Sequence, residues 1–200
     1  MATNTQVVNF INSMGTLVVN ECNRRIQAGS GFVLPSVCMA QAAHETGWGT
    51  SSLMTKANAY FGIKAGGSWT GKVFTADTRE VVDGVSHNVV ANFRAYDDPA
   101  ESVRDYYDLI LNNPRYAAGI SYHPDKVLSA YDTLYAIWAG GYATEPLYVS
   151  YVMNLLNGRD LTQWDAKVDG ITVKPDGNYN DYVPPTYETE KSTWQFMKIK

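Results

Sequence analysis

Cysteine is nearly absent, with Cys22 and Cys38 the only two in 200 residues. Small domains that rely on a disulfide framework use more. Both cysteines fall in apolar helical stretches, which fits two buried thiols, although one bridge between them is compatible with the sequence. There is no excess of positive charge either: 16 Lys and Arg stand against 20 Asp and Glu. The basic residues are scattered, and the densest pairing is Arg24-Arg25. A nucleic-acid partner is therefore not expected. A neutral or zwitterionic polymer suits this surface better. No apolar run approaches the roughly 20 residues that span a bilayer, so no membrane partner is expected. The N-terminus lacks a basic segment followed by an apolar core, so no signal peptide is visible. The histidines His44, His87 and His123 share no metal-ligand spacing, and the glycine pairs at 66 and 140 lack the context of a phosphate loop. Neither a metal nor another cofactor is expected.

What is present is ordinary globular composition, 45% apolar, with helical and strand periods in turn. Residues 5 to 28 read as an amphipathic helix with Val8, Ile11, Val18 and Cys22 on one stripe, ended by Gly29-Ser30-Gly31. Pro35 opens a second helix to about residue 46, stopped by Gly47, and a short helix follows over 51 to 56. Residues 70 to 76, 79 to 82 and 88 to 95 have strand composition, and Asp83-Gly84 is a hairpin turn signal. Asp98-Pro99-Ala100-Glu101 is a helix start, with a cap, an N1 proline and an acidic third position, for a helix to about 112. A loop over 113 to 122 is expected next, then a helix over 124 to 139 broken by Gly140-Gly141. The last helix runs from 146 to about 157. The arrangement is α+β: a mainly helical lobe with a small antiparallel hairpin lobe, and a cleft where they meet. A boundary is placed near 165. Residues 1 to 165 form the domain, and 166 to 200, with Pro184-Pro185, read as a linker, a tail or the start of a further module.

Glu45 is the most informative residue. It ends an otherwise apolar helix, where the helix dipole disfavours an anion, and Trp48 and two glycines follow. Desolvation and the dipole should both raise its pKa, as a general acid near neutral pH requires.

The segment Gln41-Ala42-Ala43-His44-Glu45-Thr46-Gly47-Trp48-Gly49 resembles the motif of glycoside hydrolase family 73, the bacterial and phage glucosaminidases that include many autolysins. Further blocks follow in the family's order: Asn58 to Lys64, Phe93 to Ser102, Asn113 to Tyr116, Gly141 to Thr144, and Leu161 to Asp165. The resemblance covers roughly residues 5 to 165. It implies a lysozyme-like fold and a peptidoglycan hydrolase that cuts the β-1,4 bond after N-acetylglucosamine, with bacterial glycan strands as partner and Glu45 as catalytic acid. It also points to a second carboxylate on the β-lobe. Thr78-Arg79-Glu80 before Asp83-Gly84 matches, so Glu80 is the candidate, with Asp77 and Asp83 behind it. Trp48, Asn58, Phe61, Tyr116 and Tyr142 are the expected substrate contacts, Tyr142 as a group to orient an N-acetyl substituent. Retaining, inverting and substrate-assisted routes all stay open. A phage lysin acting as a monomer on the wall is the expected setting. A muramidase or lytic transglycosylase is the alternative enzyme, and a non-catalytic wall-binding or particle-structural module the alternative of another class.

Overall fold

The structure, a computed structural model, describes residues 2–82 and 85–175; the side chains of 79–82, 85 and 86 lie outside it. Helix α1 spans Asn4–Gln27. Its start is a reciprocal cap in which Gln6 N donates to Thr3 Oγ1 (3.3 Å) and Thr3 N donates to Gln6 Oε1 (2.8 Å). The buried stripe is Val7, Phe10, Met14, Val18 and Cys22, whereas Val8 is 45% exposed. The expected stripe through Val8 and Ile11 is therefore corrected. Phe10 and Met14 carry more apolar surface and turn the neighbouring face inward.

Helix α2, Pro35–Thr46, is the hub. Pro35 through Ala43 are all buried, so it is apolar on every side and packs against α1, the last helix and the C-terminal 3-10 turn. Its N-terminus has no cap of its own. Asp165, remote in sequence and 3% exposed, supplies one: Ser36 N donates to Asp165 Oδ1 (2.8 Å) and Ser36 Oγ to Oδ2 (2.6 Å). A carboxylate there also meets the positive end of the helix dipole. Gly47, at φ 57°, ends the helix in the left-handed region.

Helix α3, Ser52–Ala57, leads into the hairpin, β1 Lys72–Val82 and β2 Val85–Ala95. The two strands pair antiparallel from Lys72↔Ala95 to Val82↔Val85. The expected pieces at 70–76 and 79–82 are one continuous strand, because Asp77 and Thr78 continue the pairing with Val90 and Val89. The turn residues Asp83 and Gly84 lie outside the described residues. Main-chain bonds tie the hairpin base to the helical body, Arg94 N to Ile63 O (2.8 Å) and Tyr96 N to Ala57 O (2.9 Å).

Helix α4 is Pro99–Leu111, capped by Asp98 as expected. The expected loop at 113–122 contains a 3-10 turn, Pro114–Gly119. Helix α5, Ala130–Ala139, begins six residues later than the proline suggests. Ser129 takes the cap, with Asp132 N donating to its Oγ (3.0 Å), while Val127 pairs instead with Val173. Helix α6 is Tyr148–Gly158, and a 3-10 turn spans Leu161–Lys167. Trp164 of that turn lies on Gly15, where a Cβ would come within 2.4 Å of the indole. The described chain continues over the body: Val168 is buried, and Thr172 N donates to Pro124 O (3.0 Å). Cys22 and Cys38 are buried, free thiols. No helix among the described residues is long and apolar enough to cross a membrane. The described residues are mostly helical, with one two-stranded antiparallel sheet among them.

Candidate active site

Glu45 occupies the last turn of α2, one residue before the helix ends. Its side chain is exposed by surface area, yet protein atoms crowd it closely. Both hold for a carboxyl that neighbours crowd on one side and water reaches on the other. Burial pushes its pKa up to about 7, and a hydrogen bond from Tyr148 pulls in the opposite direction. That bond runs from Tyr148 Oη to Glu45 Oε1 at 3.3 Å. The other oxygen, Oε2, faces Gly62.

Behind the acid lies a cluster of aromatic rings. Tyr142, half-buried in the loop after α5, sits 6.1 Å from the Tyr148 ring, 6.4 Å from Tyr116 and 6.2 Å from Tyr106. Its hydroxyl donates to the Phe61 carbonyl at 3.3 Å. Phe61 in turn stacks on Tyr106 at 4.3 Å. Phe61, Tyr116 and Tyr142 are thus brought together with Glu45. Phe61 and Tyr116 are only 3% and 5% exposed, so little of either ring is open to a ligand.

Two predicted residues take other places. Trp48 meets Phe10 edge-on at 5.8 Å and lies under the Arg159 guanidinium. Asn58 adopts φ 48° at the end of α3, and its amide nitrogen donates to the Tyr96 and Asp97 carbonyls, each at 3.1 Å. That amide locks α3 to the strand-to-helix junction. Glu80 pairs with His87 at backbone level, and its side chain lies outside the described residues. A cavity of about 420 Å3 opens elsewhere, between the hairpin base and α4 near Trp69, Lys72 and Glu101. None of the predicted site residues lines it.

The sequence reading does not single out Tyr148, Gln41 as a side chain, or Tyr106. Tyr148 reaches Glu45 from 103 positions away, a separation that no local pattern encodes. Among the described residues, no group of three or more His, Cys, Asp or Glu is placed to hold a metal ion.

A mostly helical body with a small hairpin, and a carboxyl of raised pKa at the end of its buried central helix, fits the class to which the solved relatives belong: lysozyme-like glycoside hydrolase domains. More narrowly, the chain belongs to the glucosaminidase family, whose description is mannosyl-glycoprotein endo-beta-N-acetylglucosaminidase and whose sequence model matches residues 24–161. Its relatives include the peptidoglycan hydrolase FlgJ of Escherichia coli K12, 36% identical over 122 residues, 59% of this chain and 37% of that protein. The exo-glucosaminidase LytG of Bacillus subtilis is 34% identical over 134 residues, 66% of this chain and 46% of LytG. Among solved structures, the catalytic domain of the autolysin Auto from Listeria monocytogenes superposes with a TM-score of 0.65 at 32% identity, covering 82% of this chain and 90% of that one. The chain spans less than half the length of these FlgJ and LytG relatives.

Proposed function

We propose that the domain is an endo-β-N-acetylglucosaminidase that cuts the β-1,4 bond between N-acetylglucosamine and N-acetylmuramic acid in bacterial cell walls. The observation that carries this reading is Glu45, a carboxyl whose pKa is raised to about 7 at the end of a helix that bears the family's motif. Near neutral pH a large fraction of it is protonated. It hands that proton to the glycosidic oxygen as the bond from the anomeric carbon breaks. We assign Glu80 as the second carboxylate, which either takes a proton from the water that adds to the anomeric carbon or attacks that carbon itself. The acetamide oxygen of the sugar is a third nucleophile, and Tyr142 is the residue assigned to steady it. Phe61 and Tyr116 shape the proposed site from behind, whereas Trp48 and Asn58 support the structure around it rather than contact the substrate. The names of the relatives, a peptidoglycan hydrolase and an exo-glucosaminidase, support the polymer and the sugar.

The test is digestion of purified Gram-positive walls by wild type and Glu45→Gln, followed by borohydride reduction and identification of the reduced ends. Reduced N-acetylglucosamine from the wild type, with at least about a hundredfold loss in the variant, is expected. Reduced muramic ends would make the enzyme a muramidase, and 1,6-anhydro ends a transglycosylase. A wall-binding module would bind equally well with either residue and release no ends.

A further inference from the structure

The hydroxyl that meets Glu45 ends a chain of hydrogen bonds through the core. Tyr106 Oη donates to Gln41 Oε1 (2.5 Å), Gln41 Nε2 donates to Tyr148 Oη (3.0 Å), and Tyr148 Oη donates to Glu45 Oε1 (3.3 Å). Tyr106 and Gln41 are fully buried and Tyr148 is 2% exposed, so water does not compete for these groups. The direction of the chain follows from the amide, whose oxygen only accepts and whose nitrogen only donates. Tyr106 must give its hydrogen to Gln41. Tyr148 already receives one from Gln41 and has its own left for Glu45. Turning the amide over would strand the Tyr106 hydrogen in the core, which is costly.

A second observation concerns the opposite oxygen. A Cβ at residue 62 would lie 3.5 Å from Glu45 Oε2, and Gly62 holds φ +58°, a conformation that side chains rarely adopt. The Oε1 side of the carboxyl is thus filled by a buried donor, while the Oε2 side is kept free of a side chain.

We propose that Tyr148 is a positioning residue for the acid: it holds Oε1 as an acceptor, so that Oε2, beside Gly62, carries the transferable proton. This inference rests on the reading of Glu45 as general acid. In a neutral carboxyl the carbonyl oxygen is the better acceptor, so a fixed donor at Oε1 directs the proton to Oε2. Tyr148 touches the acid and acts through it. The other titratable groups around the pair are Cys38 and His44 on α2, Tyr106 on α4, Tyr116 on its 3-10 turn and Tyr142, with Glu145 acting on His44. Burial raises the thiol and the phenols, so they stay neutral where Glu45 titrates, and it lowers the His44 imidazole.

The experiment is a 13C NMR titration of the Glu45 carboxyl, assigned with Glu45→Gln, in wild type, Tyr148→Phe and Tyr106→Phe, together with pH–rate profiles on walls. Tyr148→Phe removes a donor that favours the carboxylate, so the Glu45 pKa and the alkaline limb of kcat should both move up. With the proton no longer directed, kcat should fall about tenfold and KM stay within about twofold. Tyr106→Phe lets the Gln41 amide turn over and take the Tyr148 hydrogen, a smaller change in the same direction. It also serves as the test if Tyr148→Phe does not fold. A Glu45 titration unchanged by these substitutions overturns the proposal. So does a kcat loss matched by a KM rise without a titration shift, which would put Tyr148 on the substrate. A titration that moves in a protein that cuts no wall upholds the pairing and overturns the functional reading instead.

Discussion

At the scale of single residues, burial and hydrogen bonding at Glu45 oppose each other, and burial dominates. This links stability to pH. The folded-state pKa, about 7, stands above the ordinary 4.5, so the fold binds the Glu45 proton more tightly than the unfolded chain does. That contribution is complete below about pH 4.5 and is lost as pH rises through 7. Glu45→Gln, which still accepts from Tyr148, should therefore match wild type in thermal stability near pH 4. It should be the more stable of the two above pH 7, as melting curves across that range would show. A constant difference at all pH values would contradict the raised pKa. Gly62 supports a second prediction. Gly62→Ala places a methyl against Oε2 in a left-handed backbone, so it should lower kcat and cost about 1–2 kcal/mol of stability. Kinetics and denaturant melts of Gly62→Ala on the same preparations would separate the two effects.

Among the elements, α2 depends most on distant parts of the chain. An apolar helix with no cap of its own is anchored by Asp165, whose carboxylate accepts from both the backbone nitrogen and the hydroxyl of Ser36. Asp165→Ala leaves a buried N–H without its partner and should lower stability by roughly 2–3 kcal/mol in urea denaturation. Because Glu45 sits at the other end of the same helix, activity per folded molecule should change less than stability does. The hairpin is the complementary case. Its register follows directly from alternation and a two-residue turn signal, and its base is tied to the body by main-chain bonds at Ile63 and Ala57 and by the Arg94–Asp105 ion pair.

For the whole molecule, the boundary expected near 165 bears on how much chain the domain needs. Val168 is buried in the core, and residues 172 and 174 hydrogen-bond to the segment before α5. A chain ended after Asp165 should melt at a lower temperature than one ended after Pro175, since it leaves the Val168 pocket empty. Equal melting temperatures would place the boundary at 165. The remainder of the tail lies outside the described residues.

Much of this protein is legible in the amino-acid order. Caps and breakers mark the end of α1, both ends of α2 and the start of α4 to within a residue or so, because Gly29, Pro35, Gly47 and Asp98 act on neighbours they touch along the chain. Glu45 stands out for the same reason, since its helix-end position and apolar neighbours are local facts. The start of α5 is misjudged because Pro124 and Ser129 are both acceptable starts, and pairing with Val173 decides between them. The face of α1 is misjudged because two adjacent apolar stripes compete, and only packing selects one. What the tertiary structure alone decides is which side chain meets which across the core: Asp165 on Ser36, Tyr148 on Glu45, Tyr106 on Gln41. These contacts join residues 65 to 129 positions apart. Sequence determines Glu45 and the helix that carries it, because both are local; the groups that meet its carboxyl arrive by packing, which no local rule of spacing encodes.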